Sequence, residues 1–367
     1  MRVVIAGGGT TGHLSPGLAL AAELQASGDA VMFIGSGNGP EAEAVPARGF
    51  DFAPIEIIGR RRGLSPRNIL ALAKLGLATL KARRIVRRFK GDVVVGTGGY
   101  VSLPVCFAAR SLRIPVVLHE QNSVPGLANR VASRFAAAVG VSFPGSEEAF
   151  GPMARLTGNP VTPEIESMDR QALRAEAALH FELHASNKTL LVMGGSQGAA
   201  SLNQAAVGAY DLLRDAGLQI LHLTGPAKVE AVLEEIGRVR VEGDPPFYRA
   251  VGYTDRMDLA YSLCELAICR AGASTIAELA AVGIPGVLVP LPGSIDQDQL
   301  KNARYAQERG GALLLEDADL TAQKLSEVAK TLIFDSDRLS RMASGMNGIH
   351  IKGAAKRLAE LVRGTVL

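Results

Sequence analysis

A histidine follows a run of glycines near the start of the chain: Gly7-Gly8-Gly9-Thr10-Thr11-Gly12-His13. The apolar run Val3–Ala6 precedes it and the helical pattern Leu18–Gln25 follows. A strand ending in glycines lets backbone approach a ligand closely. The helix behind it offers free N–H groups and a positive dipole end to an anion. An imidazole titrates near neutrality, and a helix N-terminus favours its neutral form, so His13 could take a proton from a sugar hydroxyl. It could equally pin the turn by hydrogen bonds. Two more glycine turns close strand patterns. Gly96-Thr97-Gly98-Gly99-Tyr100 follows Val93–Val95, and Gly194-Gly195-Ser196-Gln197-Gly198 follows Leu190–Met193. The last fits a diphosphate cradle, with Ser196 adding a hydroxyl donor; a tight turn that binds nothing is the plain alternative.

The first turn formally matches G-x-G-x-x-G, the dinucleotide fingerprint of dehydrogenases. That chemistry needs an acid at the end of the second strand to hold a ribose. Here that strand ends Phe33-Ile34-Gly35-Ser36-Gly37, and the first nearby acid is Glu41. A P-loop is excluded, because Gly-Lys-Ser/Thr occurs nowhere.

Polar residues cluster behind other strand patterns. His119-Glu120-Gln121-Asn122 follows Val116–Leu118; Asn122 or Glu120 could reach a ligand, with His119 in a supporting place. Arg270-Ala271-Gly272-Ala273-Ser274-Thr275-Ile276-Ala277-Glu278 leaves a strand and starts a helix. Glu278 could accept both hydroxyls of a ribose, or simply cap the helix. Gln299 and Asn302 share one helix face, and neutral amides suit sugar hydroxyls. Asp296 and Asp298 form D-x-D, a metal signature elsewhere, read here as a capping segment.

These residues need elements to hold them. Short apolar runs alternate with helical patterns along all 367 residues, enough for two domains. The runs are Val3–Ala6, Val31–Ile34, Phe52–Ile57, Val93–Val95, Val116–Leu118 and Ala138–Val141. In the second half they are Leu190–Met193, Ile220–Leu223, Arg249–Val251, Leu266–Ile268, Gly286–Val289 and Ala312–Leu315. Such spacing predicts parallel sheets covered on both faces, with ligands at the carboxyl ends of the strands. The strand–glycine turn–helix opening occurs twice, half a chain apart, so two similar domains are expected. They should join at Gly158-Asn159-Pro160-Val161-Thr162-Pro163. We place a first domain at 1–160, a second at 161–340, and a C-terminal helix from about Asp337 to Val366. That helix, in the segment 341–367, could pack back on either domain.

Apolar residues make up 47% of the chain and charged residues 20%, as in ordinary globular proteins. No run approaches the ~18 apolar residues of a membrane span. The start lacks a signal-peptide layout, so a cytoplasmic protein is expected. Cys106, Cys264 and Cys269 form no C-x-x-C pair and read as reduced core thiols. Net charge is +3, yet Arg60 to Lys90 holds eleven Lys or Arg and no acid, which leaves −8 on the remainder. Ser65-Pro66 reads as a helix start. On that helix Leu72, Leu75, Ala78, Ala82, Ile85, Val86 and Phe89 form a core stripe. Leu70 and Leu77 lie off it, among Lys81, Arg84 and Arg88. Leucines ringed by cations suit an anionic bilayer surface. Nucleic acid is the rival partner, but aromatic side chains for base stacking are missing. A solvated helix is the third reading.

In this order the motifs resemble the MurG family closely. They are Gly8 through His13, Gly98-Gly99-Tyr100-Val101-Ser102, His119 through Asn122, Gly158-Asn159-Pro160-Val161, Gly194 through Ala199, Arg270 through Glu278, and Gln299 through Asn302. They span nearly the whole chain. The resemblance implies a GT-B glycosyltransferase fold, α/β, with two Rossmann-like domains facing a cleft. It implies transfer of N-acetylglucosamine from UDP-N-acetylglucosamine to lipid I, giving lipid II with inverted configuration. It implies a peripheral protein on the cytoplasmic face of the bacterial membrane that binds no nucleic acid and requires no cofactor, with room for stimulation by a divalent metal. By the same resemblance Ser196 and its turn hold the UDP phosphates, with Ala273, Ser274 and Thr275 nearby. Glu278 holds the ribose, and backbone near Thr254 meets the uracil. Gln299, Asn302, Asn122 and the Thr10–Thr11–Gly12 turn lie near the donor sugar. Gly98, Gly99 and Tyr100 take the acceptor diphosphate, and His13 is the base for the acceptor 4-hydroxyl. Three positions depart from the family pattern: Thr11 replaces a usual glycine, Thr162 an arginine of the donor site, and Asp298 a second glutamine.

Two other functions use the same features differently. A UDP-N-acetylglucosamine 2-epimerase of similar fold would need no lipid-facing Arg60–Lys90 segment. A non-catalytic sugar-nucleotide-binding subunit could dispense with His13 and one glycine rim.

Overall fold

The computed structural model describes residues 1–57, 66–241 and 247–366, with no side-chain description at 66–72 and 295. The cations Arg60–Arg62, the start signal at Ser65 and the side chains of Leu70 and Leu72 therefore lie outside the described residues. Two units divide the chain: Met1–Thr162 with Ile351–Leu367, and Pro163–His350.

Among the described residues of the first unit, seven strands pair parallel. They are β1 (Arg2–Gly7), β2 (Ala30–Ser36), β3 (Asp51–Ile55), β4 (Val93–Gly98), β5 (Val116–Glu120), β6 (Ala138–Val141) and β7 (Ala154–Leu156). Their order is β3-β2-β1-β4-β5-β6-β7. The strand Ala154–Leu156 is an addition to the sequence reading. It is three residues long, at the sheet edge, with an exposed Arg155, so it leaves no apolar run to read. The continuous apolar runs of β1 and β4 follow from their central place, covered on both faces. Val4, Ala6 and Val94 face α3 (Pro66–Phe89) and α4 (Ser102–Ser111). Their neighbours Val3, Ile5, Val93 and Val95 face α1 (Thr11–Ala26).

The second unit repeats the plan with six described strands. These are β8 (Lys188–Met193), β9 (Leu218–Leu223), β10 (Tyr248–Val251), β11 (Cys264–Cys269), β12 (Gly286–Leu288) and β13 (Ala312–Leu314). Their order is β10-β9-β8-β11-β12-β13. In both sheets the order reverses between a first and a fourth strand, β1/β4 and β8/β11. Doubly wound sheets take ligands at the carboxyl ends of that pair.

The single C-terminal helix of the sequence reading is two helices. Ser336–Asn347 belongs to the second unit, and Ala354–Arg363 returns to the first. The chain breaks at Gly348 and restarts after Gly353, whose φ of 71° few side chains tolerate. Leu358, Ala359 and Val362 then join the core beneath α1. The three cysteines are free and buried, and burial pushes the Cys106 and Cys264 thiols up to about 12.

On α3, Ala78, Ala82 and Val86 are buried against the sheet, with Ile85 and Phe89 beside them. Leu77 and Leu80 stand outward, 67% and 53% exposed. No described helix is long and apolar enough to cross a membrane.

Asp29 clamps both ends of the chain: it accepts the Met1 ammonium at 2.8 Å and an Arg363 Nη2 donor at 2.8 Å. Desolvation raises its pKa, but the hydrogen bonds and charges of these two cations outweigh it, so the carboxyl lies below its ordinary value. A depressed folded-state pKa adds stability above the unfolded value, and that stability is lost as pH falls through the folded one. Asp29→Asn should thus lower denaturation stability by about 1 kcal/mol at neutral pH, and its gap to wild type should close as pH falls through the lowered carboxyl pKa. A gap of equal size in acid would contradict this account.

Candidate active site

The turns after β1 and β4 meet at the first switch point. Thr10, in extended conformation, caps α1; Thr11 and Gly12 form its first turn, and His13 follows. Gly98 has a φ of 98°, and a Cβ there would fall 2.8 Å from His13 Nδ1. Only glycine admits this approach. His13 Nδ1 consequently lies 3.1 Å from Thr97 O and 3.2 Å from Gln121 Oε1. Thr97 Oγ1 donates back to His13 O at 2.8 Å. Gly99 continues the turn, and Tyr100 next to it is 45% exposed.

Glu41 changes the reading of the first turn. It opens α2 (Glu41–Ala47), is fully buried, and accepts the Gly9 N–H at 3.0 Å and the Ser36 N–H at 2.8 Å. The carboxylate is committed to tying the β1 and β2 turns together, so it does not present itself to a ribose. This removes the dehydrogenase alternative. It also occupies an N–H that a diphosphate at the first turn would use, and it adds a negative charge beneath that turn.

The polar run after β5 divides by direction. Glu120 is buried, and its oxygens accept from Asn122 N at 3.1 Å, Gly126 N at 2.9 Å and Asn129 Nδ2 at 2.9 Å. It folds the loop rather than reaching outward. Asn122 sits half-buried on that loop. His119 and Gln121 are buried beneath it, and burial pushes the His119 pKa down to about 4. Thr162 is buried at the end of the first unit.

At the second switch point the turn after β8 interlocks with the turn after β9. Gly198 has a φ of 65°, and a Cβ there would lie 1.8 Å from Thr224 O. Gly195, by contrast, has open space where a Cβ would be, and Ser196 beside it is half-buried. The helix Ala200–Gly208 starts behind them. Lys228 Nζ donates to Gln197 O, which sets a cation against the turn. Below, Asn203 donates to Thr224 O at 2.9 Å and meets His222 Nε2 at 3.0 Å, a buried brace for the turn.

After β11, Gly272 caps the helix Ala273–Val282. Ala273 is buried, and Ser274 and Thr275 are half-buried on its first turn. Glu278 stands one turn on, and the fully buried Tyr261 donates to its Oε2 at 2.7 Å. Arg270 points elsewhere: its guanidinium ties Asp317 and Ser201 together and donates to the Val289 and Pro290 carbonyls. Thr254 is buried and its hydroxyl accepts the Arg256 N–H at 3.0 Å. Gln299 accepts the Leu291 N–H at 2.9 Å. Asn302 is fully buried, with Nδ2 3.4 Å from Ala271 O, so it joins its helix to the β11 loop. Asp298 opens its helix and its Oδ1 accepts the Gln299 N–H at 2.7 Å, but the N-cap is Gln297 and makes no side-chain cap bond, so the Asp296–Asp298 segment does not cap the helix in the way the sequence suggested. Among the described residues, no group of three or more His, Cys, Asp or Glu is arranged to hold a metal ion.

Residues 3–141 match the glycosyltransferase family 28 N-terminal domain, and residues 189–358 its C-terminal domain. The UDP-N-acetylglucosamine–N-acetylmuramyl-(pentapeptide) pyrophosphoryl-undecaprenol N-acetylglucosamine transferase of Acidothermus cellulolyticus is 43% identical over 365 residues, 99% of this chain and 97% of that one. The chain belongs to the MurG family of glycosyltransferases. A transferase of the same description from Halothermothrix orenii is 38% identical, over 100% of this chain and 99% of its own. The crystal structure of MurG from Acinetobacter baumannii matches with a TM-score of 0.73 at 31% identity, over 99% of both chains. Both units thus carry the GT-B fold of this family.

Within the first unit the structure brings Thr10, Thr11, Gly12, His13, Gly98 and Gly99 together around one switch point, and within the second Ser196 and the Ala273–Glu278 segment around the other. Lys228 and Tyr261 are additions to the sequence reading, and Glu41, Gln121 and Arg270, which the sequence singles out, take bracing roles that it does not reveal. The contacts they make reach as far as 108 positions along the chain, and local spacing holds no signal for them.

Proposed function

We propose that this chain transfers N-acetylglucosamine from UDP-N-acetylglucosamine to the 4-hydroxyl of N-acetylmuramyl-pentapeptide pyrophosphoryl-undecaprenol, lipid I, forming lipid II. The observation that carries this reading is the pair of switch-point turns in a MurG-family chain, one holding an imidazole and the other an open Gly195 beside Ser196 with Lys228 set against it. His13 takes the proton of the acceptor hydroxyl, whose oxygen attacks the anomeric carbon. The bond from that carbon to the UDP oxygen breaks, and the configuration inverts. Ser196, its turn and the helix behind it steady the leaving diphosphate, with Lys228 adding positive charge.

Glu278, steadied by Tyr261, holds the donor ribose, and backbone at Thr254 meets the uracil. Thr10, Thr11, Gly12, Asn122, Thr162, Ala273, Ser274, Thr275, Gln299 and Asn302 shape the surroundings of the donor. Because Glu41 holds the Gly9 N–H, the acceptor diphosphate rests chiefly on Gly98, Gly99 and Tyr100. The reaction needs no cofactor beyond its substrates.

The outward face of α3 meets the membrane. Leu77 and Leu80 enter the interface, and Lys81, Arg84 and Arg88 meet anionic headgroups, which places the protein peripherally on the cytoplasmic face.

His13→Ala should cut turnover by about 10²–10⁴-fold while the donor Kd stays within about twofold of wild type. Near-normal turnover would remove His13 as the base. Changing both exposed leucines, Leu77→Gln with Leu80→Gln, should reduce co-sedimentation with anionic vesicles without lowering Tm. Unchanged sedimentation would make α3 a solvated face.

A further inference from the structure

The hydrogen-bond geometry beneath the first switch point fixes more than the place of His13. We infer that Gln121, itself held by His119, dictates which ring nitrogen of His13 carries the hydrogen, and so leaves Nε2 as the nitrogen that accepts the substrate's proton. This rests on the reading of His13 as the base.

Thr97 O, a carbonyl oxygen, can only accept. Gln121 Nε2 lies 2.8 Å from it. Rotating the amide by half a turn would set two bare oxygens at that distance, so the nitrogen must face Thr97. Gln121 Oε1 therefore faces His13 Nδ1, at 3.2 Å, and Thr97 O lies 3.1 Å from the same nitrogen. His13 Nδ1 meets two acceptors and must be the N–H of the ring. A neutral imidazole has one N–H, so the lone pair sits on Nε2.

His119 supports this orientation from the other side. Its Nδ1 lies 3.0 Å from Gln121 Nε2, a donor, and so must accept. Its Nε2–H then donates to Gly158 O at 3.1 Å. Ser142 Oγ, 3.3 Å away and donating its own hydrogen to Glu120 O, is a second acceptor for that N–H. A protonated His119 would turn Nδ1 into a donor against the Gln121 amide. Full burial keeps the ring neutral. Gly158 is itself fixed, since a Cβ there would lie 2.7 Å from Ile351 Cβ. One directed chain thus runs from the Gly158 carbonyl through His119 and Gln121 to His13.

The chain explains a chemical choice. A carboxylate against Nδ1 would also fix the ring, but it would bury a negative charge beside a diphosphate-bearing substrate. An amide oxygen accepts the same N–H in both charge states of the ring. When Nε2 takes the proton, no second proton has to move. Gln121 is a positioning residue: it is buried and acts through His13.

Histidine tautomers are read directly from ring ¹⁵N shifts in protein labelled at its six histidines, with His13 assigned by its loss in His13→Ala. Wild-type protein at a pH where the ring is neutral should show His13 with hydrogen on Nδ1, against the preference of free histidine for Nε2. Gln121→Ala should shift His13 toward the Nε2–H form and lower kcat about tenfold or more, with the donor KM within about twofold. An Nε2–H ring in wild type overturns the inference, and needs no variant that might fail to fold. So does a Gln121→Ala protein whose tautomer and kcat are both unchanged. If His13→Ala keeps its turnover, the base reading falls separately, whichever tautomer the spectra show.

Discussion

No side chain fits between the turn that ends β4 and the ring of His13. A Cβ on Gly98 would lie 2.8 Å from Nδ1, and the site's other features follow from this close approach. It brings Thr97 O within hydrogen-bond reach of the ring and lets Gln121 reach the same nitrogen from β5. It requires the two strands to be neighbours, which the doubly wound order supplies at the point where it reverses. It also requires a rigid floor, and the continuous apolar strands beneath the turns provide one. A base that must meet its substrate within a few tenths of an ångström gains from a backbone that cannot relax.

The second unit uses the same constraint for another purpose. Gly198 packs against Thr224 O more closely than Gly98 packs against His13, a Cβ falling at 1.8 Å rather than 2.8 Å, but the residue left open is Gly195, next to Ser196. The turn in the first unit has a buried carboxylate beneath it; the turn in the second has Lys228. Repetition of the fold therefore does not mean repetition of charge. The charge beneath each turn disfavours a diphosphate at the first and favours one at the second, which supports the proposed placing of the donor on the second unit. The supporting residues follow suit: Tyr261 steadies Glu278, while Arg270 spends its guanidinium on holding loops together.

The sequence revealed the parts of this arrangement that are local. Strand runs at Val3–Ala6 or Leu190–Met193 show themselves because buried parallel strands are apolar throughout, and glycine turns show themselves because nothing else fits. The edge strand Ala154–Leu156 and the break between Asn347 and Ala354 did not, since the first has no periodicity and the second interrupts two helices that share an amphipathic pattern. Glu41 was visible as an acid near a nucleotide-like turn. That its carboxylate reaches Gly9, thirty-two positions away, was not. The Gln121–His13 contact spans 108 positions, and no spacing rule reaches so far.

The claim at the centre of this account is that the sugar leaves UDP only when a hydroxyl activated by His13 takes its place. Release of UDP from UDP-N-acetylglucosamine, followed with and without a soluble lipid I analogue, tests it most directly. The account predicts release that depends on the analogue and matches, mole for mole, a β-linked disaccharide product. Release at the same rate without any acceptor would contradict it.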